Sequence, residues 1–299
     1  MSDKVVVIGA GGFVGRTLVE ALESRGNEVL VPRGAGSDAT VRVHRVEEFL
    51  PLLAGASTVV HVASASTPGA SAGKPLFELQ GNLQPTLALL EALQQFPRTH
   101  LVYVSSGGTL IPRLSDPSGE DAAVYSSSYY GAGKVAAEQF IEAWCHQSKG
   151  RATVFRPSNL YGPGQHERPG FGIIPAAMGA LARGEILQVW GDGSSGRDYL
   201  YVGDFMRLLL ASIDAPADTG FRLFNACSGR ITPLNRLLDL LESVSGRDLQ
   251  RIHSPARSVD APAVCMEATR AREAFDWMPE VELSEGLGRT WRWFIDCRR

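Results

Sequence analysis

Cysteine is scarce, with four residues in 299, and Cys145, Cys227, Cys265 and Cys297 show no paired spacing. That argues against a disulfide framework and against a thiolate zinc site. The six histidines form no ligand cluster. His61, inside Val-Val-His-Val-Ala, reads as a hydrogen-bonded core residue, and no metal is expected. No apolar run approaches the length needed to cross a bilayer, and the first residues lack the charged and apolar regions of a secretion signal, so a cytoplasmic protein is expected. Charge of one sign is also missing. Twenty-nine Lys and Arg are dispersed among 32 Asp and Glu for a net charge of −3, which leaves no footprint for nucleic acid or an anionic membrane. The expected ligand is a small molecule. No repeat or low-complexity segment interrupts the chain. What is present is 44% hydrophobic residues and 32 glycines, enough for a large core in one enlarged domain or two.

The glycines are most telling in Lys4-Val-Val-Val-Ile-Gly-Ala-Gly-Gly-Phe-Val-Gly15. The β-branched run from Val5 to Ile8 fits a parallel strand covered on both faces. Gly9, Gly12 and Gly15 then permit positive φ, let a phosphate approach the backbone, and let a helix from Phe13 to Arg25 pack closely on its strand. The free N–H groups of that helix's first turn, which includes Phe13 and Val14, together with its positive dipole end, form a pyrophosphate cradle. Where a dinucleotide site usually carries an acid, about 20 residues beyond the last glycine, this chain has Arg33. Arg42, His44 and Arg45, at the end of an expected next strand, make the region basic. These cations either neutralise a 2′-phosphate or are solvated loop residues, so NAD and NADP both stay open.

Strands and helices alternate through the first half: Glu28 to Pro32, Thr58 to Val62, helix Pro75 to Gln95, strand His100 to Ser105, helix Tyr125 to Ser148, and strand Arg151 to Phe155. Such alternation specifies an α/β fold with a doubly wound parallel sheet of the Rossmann type. Residues 1–165 are expected to form the dinucleotide-binding domain, rejoined by part of 198–228, and residues 166–299 a smaller substrate-binding region. Chemistry should lie just beyond the carboxyl ends of the strands.

There, Ser105-Ser-Gly-Gly-Thr109 clusters hydroxyls, and Tyr130-Gly-Ala-Gly-Lys134 sets a phenol and an ammonium four residues apart on one helix face. A free phenol titrates near 10, whereas an adjacent cation favours phenolate and brings proton exchange toward neutrality. That is what oxidation of an alcohol requires. Tyr-x-x-x-Lys alone is commonplace as a surface pair; its order after the glycine turn and the hydroxyl cluster singles it out. Tyr125 and Tyr129 compete, but only Tyr130 has the lysine one turn later.

With these motifs, and with His61-Val-Ala63, Asn82-Leu83, Arg156-Pro-Ser-Asn-Leu-Tyr-Gly-Pro163 and Gly191-Asp-Gly…Arg197-Asp-Tyr-Leu-Tyr-Val202, essentially the whole chain resembles the extended short-chain dehydrogenase/reductases. Within them it is similar to the nucleotide-sugar epimerases, in the branch from bacterial surface-polysaccharide pathways. The resemblance implies that Tyr130 is general base and acid, and that Lys134 lowers its pKa and holds the nicotinamide ribose. It implies a cofactor bed of Gly9, Gly12, Phe13, Val14, Gly15, Arg33, Ala63, Asn82, Ser105, Tyr130, Lys134 and Pro157. Asn159 and Arg197 would bind the nucleotide diphosphate, Arg257 and Asp260 the uridine end, and Gln188 and Trp190 would flank the uracil. Val264 would bound the sugar pocket and leave room for an N-acetyl group. Two departures stand out. Gly107 occupies the usual place of a catalytic Ser or Thr, so Ser106 or Thr109 must serve, with Thr109 favoured. Gly108 and Thr109 replace an Asp-Glu pair found in related dehydratases, so dehydration is not expected. The implied activity is 4-epimerisation of a UDP-hexose or UDP-N-acetylhexosamine through a 4-keto intermediate. Its rivals are an NADPH-dependent 4-keto nucleotide-sugar reductase, which Arg33 favours, and a non-catalytic dinucleotide sensor, which Tyr130 and Lys134 disfavour. The helices Pro75 to Gln95 and Tyr125 to Ser148 are more apolar than one sheet face needs, so a homodimer is expected.

Overall fold

The computed structural model describes residues 3–32, 45–108, 117–168, 172–216, 218, 220–255 and 265–298. Its elements run β1 (Lys4–Ile8), α1 (Phe13–Ser24), β2 (Glu28–Leu30), α2 (Val46–Leu53), β3 (Thr58–His61), α3 (Pro75–Glu78), a π-helical turn (Leu79–Leu83), α4 (Gln84–Leu93), β4 (His100–Val104), α5 (Tyr129–Ser148), β5 (Arg151–Pro157), β6 (Asn159–Tyr161), α6 (Ile173–Arg183), β7 (Leu187–Trp190), β8 (Gly196–Tyr201), α7 (Val202–Asp214), β9 (Gly220–Ala226), β10 (Ile231–Pro233), α8 (Leu234–Ser245), β11 (Arg251–Ser254), α9 (Thr269–Phe275) and α10 (Leu283–Asp296). The chain forms two compact units. One comprises Met1–Leu110, Ser126–Arg156 and Met206–Phe224; the other comprises Ile111–Tyr125, Pro157–Phe205 and Asn225–Arg299.

The first unit is built on a six-stranded sheet of order β2-β1-β3-β4-β5-β9. Its β1–β2, β1–β3, β3–β4 and β4–β5 ladders are parallel. Val5, Val6, Val7, Val59, Val60, Leu101 and Val102 are fully buried, as expected of strands covered on both faces. Strand order reverses at β1, which opens a crevice beyond the strand ends. The register Ile8↔His61, His61↔Tyr103 and Val104↔Phe155 brings the carboxyl ends of β1, β3, β4 and β5 to one edge.

Several expected elements differ in detail. The helix expected from Pro75 to Gln95 is interrupted by the π-helical turn. The helix expected from Tyr125 begins at Tyr129, because Ser128 is extended and its hydroxyl accepts from the Gly131 N–H at 3.1 Å, a side-chain N-cap. No expectation covered α2. It carries Pro51 within it yet buries Phe49 and Leu53, so burial outweighs the lost hydrogen bond. Arg45, expected at a strand end, instead precedes α2: its N–H donates to Glu48 Oε2 at 3.0 Å and its guanidinium to Glu48 Oε1 at 3.2 Å. Arg33, Arg42 and His44 lie outside the described residues.

The second unit contains a three-stranded sheet of order β10-β8-β6 and a two-stranded sheet of β11 and β7. Its core packs Tyr161, Met178, Leu237, Leu238, Leu241 and Leu287. Among the described residues no helix is long and apolar enough to cross a membrane.

Candidate active site

At the sheet edge the β1 turn is shaped by two glycines. Gly9 has φ +98°, and a Cβ there would stand 2.5 Å from the Ala63 nitrogen; a Cβ at Gly15 would stand 2.1 Å from the Gly9 carbonyl oxygen. Only glycine lets the turn, α1 and the β3 exit approach this closely. No side chain caps α1 at Gly12, and its first turn, with Phe13 and Val14, carries no acid. At the end of β4, Ser105 is buried and its hydroxyl has no partner among the described residues. An uncapped helix start, a turn so closely packed that only glycine fits it and an orphan hydroxyl on the same edge fit a dinucleotide pyrophosphate and its attached ring. Pro157 ends β5 at this edge.

Tyr130 and Lys134 stand on α5. Its start is fixed by Ser128 and by the Tyr130 N–H, which donates to Ser71 Oγ at 3.2 Å. Lys134 is 3% exposed. Its ammonium donates to the Val104 carbonyl at 3.0 Å and to the Tyr103 hydroxyl at 3.3 Å. It lies 5.9 Å from the Tyr130 ring centre. Burial lowers the Lys134 pKa to about 8, against the opposing pull of Glu78 and Glu138. The Tyr130 phenol is displaced upward, chiefly by burial, with a Ser106 hydrogen bond working against that and the Glu78 charge adding to it. This corrects the expectation that Lys134 pulls the phenol down. The ammonium is aimed at Val104 and Tyr103, and desolvation of the phenol dominates. Ser106 is the hydroxyl bonded to Tyr130, while Thr109 lies outside the described residues.

Around the motif residue Asn82 is a cluster whose other members, Glu78 and Ser66, the motifs did not announce. Glu78 Oε1 accepts from Asn82 Nδ2 at 2.8 Å, and Oε2 accepts from the Ser66 hydroxyl. Asn82 Nδ2 also donates to Ser66 Oγ at 2.8 Å, and Asn82 Oδ1 accepts from the Ala65 N–H at 2.7 Å. Both polar ends of Asn82 are thus engaged in shaping the turn after β3. Further down, Glu138 on α5 accepts from Arg156 at 2.6 Å, a buried ion pair. His61 is buried beside Thr86 and Tyr103, and burial, then the Lys134 charge, lowers its pKa to about 3.

The residues expected to face a nucleotide sugar lie in the second unit. Asn159 and Arg197 occupy neighbouring strands, β6 and β8. Asn159 Nδ2 donates to the Asp198 carbonyl at 2.9 Å, and Arg197 donates to Ser195 Oγ at 3.0 Å and to the Gly196 carbonyl at 2.7 Å. Gln188 and Trp190 stand on β7, where Gln188 donates to Ser254 Oγ at 3.0 Å. Arg257, Asp260 and Val264 lie outside the described residues. Sequence reasoning passed over Asp198, which is buried and accepts from Ser158 Oγ at 2.7 Å, the Ser228 N–H at 2.9 Å and the Gly229 N–H at 2.7 Å. Its place beside Arg197 in the motif was the available signal.

The sequence profile of the NAD dependent epimerase/dehydratase family matches residues 5–227. The chain is 30% identical over 309 residues to the UDP-glucose 4-epimerase of Mycolicibacterium smegmatis, covering 97% of this chain and 98% of that one. It is 30% identical over 316 residues to the dTDP-4-dehydro-6-deoxy-D-allose reductase of Streptomyces bikiniensis, covering 97% and 95%. The solved UDP-glucose 4-epimerase of Thermotoga maritima, with UDP-glucose, matches with a TM-score of 0.91 at 26% identity, over 99% of this chain and 100% of that one.

Proposed function

The chain belongs to the NAD dependent epimerase/dehydratase family, and from that premise we propose that it is a 4-epimerase of a UDP-hexose or UDP-N-acetylhexosamine. The observation that carries this is the Tyr130 phenol, hydrogen-bonded to Ser106 and set one helical turn from the buried Lys134 at the same sheet edge as the glycine cradle. Tyr130 takes the proton from the sugar 4-hydroxyl as C4 is oxidised to the ketone, and returns it to that oxygen when C4 is reduced again on its other face. Ser106 steadies the oxygen in transit, and Lys134 supplies the nearby positive charge. Such a positioned acid–base contributes about 10²–10⁴-fold. Bound NAD supplies the hydride acceptor. Gly9, Gly12, Gly15 and the start of α1 would hold its pyrophosphate, and Ala63, Ser105 and Pro157 would contribute to its bed. In the second unit Asn159 and Arg197 bind the sugar's diphosphate and Gln188 and Trp190 the base; Arg257, Asp260 and Val264 complete that reading toward the uridine and the sugar. Exposed Leu76, Leu79 and Phe140, on the helices expected at a two-fold axis, support a homodimer.

Mass spectrometry of nucleotides released from the purified protein, followed by a screen of UDP-sugars for interconversion, tests the reading. Co-purified NAD and conversion of a UDP-hexose without net cofactor consumption are expected. The Streptomyces relative named a 4-dehydro sugar reductase supports one second reading. Stoichiometric consumption of NADPH with a 4-keto nucleotide sugar, and no interconversion, would replace the epimerase with it.

A further inference from the structure

Glu78 is 3% exposed, although Leu76 and Leu79 beside it face solvent. An ionised carboxylate is buried at a cost unless it is hydrogen-bonded, and here three features accommodate it. Ser66 and Asn82 donate to its two oxygens. Asn82, four residues on, lies in the π-helical turn that follows Glu78, and such turns recur at functional sites. On the facing helix Gly133, between Tyr130 and Lys134 in sequence, leaves room for it: a Cβ there would stand 2.6 Å from Glu78 Oε1. A glycine inside a helix is unfavourable, so that space has a cost as well.

The other groups facing the pair are His61 from β3, Tyr103 from β4, Glu138 from α5 itself, Arg156 from β5, and Ser106 beyond β4. Glu138 is neutralised by Arg156, and His61 is held uncharged by burial and the Lys134 charge. Among the described residues the hydrogen-bond donors to Glu78 are neutral, so its charge acts on the pair uncancelled. We infer that Glu78 is a positioning residue for proton transfer: its carboxylate, fixed by Ser66 and Asn82 against Gly133, holds the Lys134 ammonium charged and makes the Tyr130 oxygen a stronger base toward the sugar 4-hydroxyl. The Glu78 charge raises the pKa of both Lys134 and Tyr130, in line with this placement. The inference rests on the reading of Tyr130 as the proton-transfer group.

The test needs no turnover. Protein carrying ring-labelled tyrosine is titrated by NMR, with the Tyr130 signal assigned by Tyr130→Phe, for the wild type, Glu78→Gln and Glu78→Asp. Gln keeps the shape and can still pair with Ser66 and Asn82. It is expected to unfold at the wild-type temperature while the Tyr130 midpoint falls by about one unit, a tenfold gain in acidity. Asp withdraws the charge by one methylene and is expected to shift the midpoint the same way by less, which serves should the Gln variant not fold. A folded variant of either kind with an unmoved Tyr130 midpoint overturns the inference, even where UDP-sugars are turned over. Failure of the wild type to turn over any nucleotide sugar refutes the functional reading instead and leaves the titration legible.

Discussion

The two units present their polar side chains in opposite ways. In the first, the groups at the proposed centre are buried: Lys134 and Glu78, each held by hydrogen bonds to neighbouring residues, are each 3% exposed and Ser105 is 4% exposed. In the second, Trp190 is 39% exposed, Asn159 and Gln188 each spend donors on an acceptor in the neighbouring strand, and Arg197 spends its donors on its chain neighbours Ser195 and Gly196. Groups locked by burial are preorganised for a bond-making step and tolerate little displacement. Groups held by short surface contacts can exchange those contacts for a ligand's phosphates and base. The difference teaches that rate should be controlled in the first unit and affinity in the second.

The hardest blow to that division comes from Tyr130→Phe, expected to cut turnover by about 10²–10⁴-fold while leaving UDP and dinucleotide affinity unchanged by calorimetry. Retained turnover would remove the phenol from the mechanism. Next comes Gly15→Ala, whose new methyl meets the Gly9 carbonyl oxygen at 2.1 Å; it should cost about 2–3 kcal/mol in denaturant unfolding and weaken dinucleotide binding, and wild-type values for both would show that the turn can open. Arg197→Ala probes the other unit. It should raise KM about tenfold with kcat preserved, the mark of a contact present equally in ground and transition states, whereas a selective fall in kcat would move Arg197 into the reacting centre.

The smallest effect sharpens the comparison from the stability side. His61 and His100 are both in the first unit, and burial is the main cause that lowers each to about 3 from an ordinary 6.5. Between those values the unfolded chain binds protons that the folded chain refuses, so stability is complete above pH 6.5 and is lost on acidification. Going from pH 6.5 to 5.5 should cost about 1 kcal/mol from each ring. Chemical denaturation at the two pH values checks it, and replacing His100 with Gln should remove its share of the slope. A His100→Gln protein with the wild-type slope would assign the acid sensitivity elsewhere.

Much of the first unit was legible because its signals are local. Val5 to Ile8 followed by Gly9, Gly12 and Gly15 identifies a buried strand, a turn and a helix within a dozen residues, and Tyr130 with Lys134 is a spacing on one helix. A boundary failed where a side chain intervened: Ser128 stops α5 short of Tyr125, while α2, with Pro51 inside it, was not anticipated. Glu78 was invisible because nothing in Pro-Leu-Phe-Glu-Leu separates a buried glutamate from a solvated one. Its burial depends on Ser66 and Gly133, partners distant in sequence. The sign of the Tyr130 displacement was missed for the same reason: helical spacing reports that a lysine is near, but not that its ammonium is committed to the Val104 carbonyl or how much water the fold removes.

The first unit is assembled from three stretches of chain, the last ending at Phe224, and β9, the edge strand beside β5, comes from that final stretch. A ribosome emits the amino end first. The nascent sheet therefore waits with the outer side of β5 unzipped until residue 226 has emerged, and a gene truncated after residue 165 should yield a sticky, chaperone-dependent fragment instead of a working half.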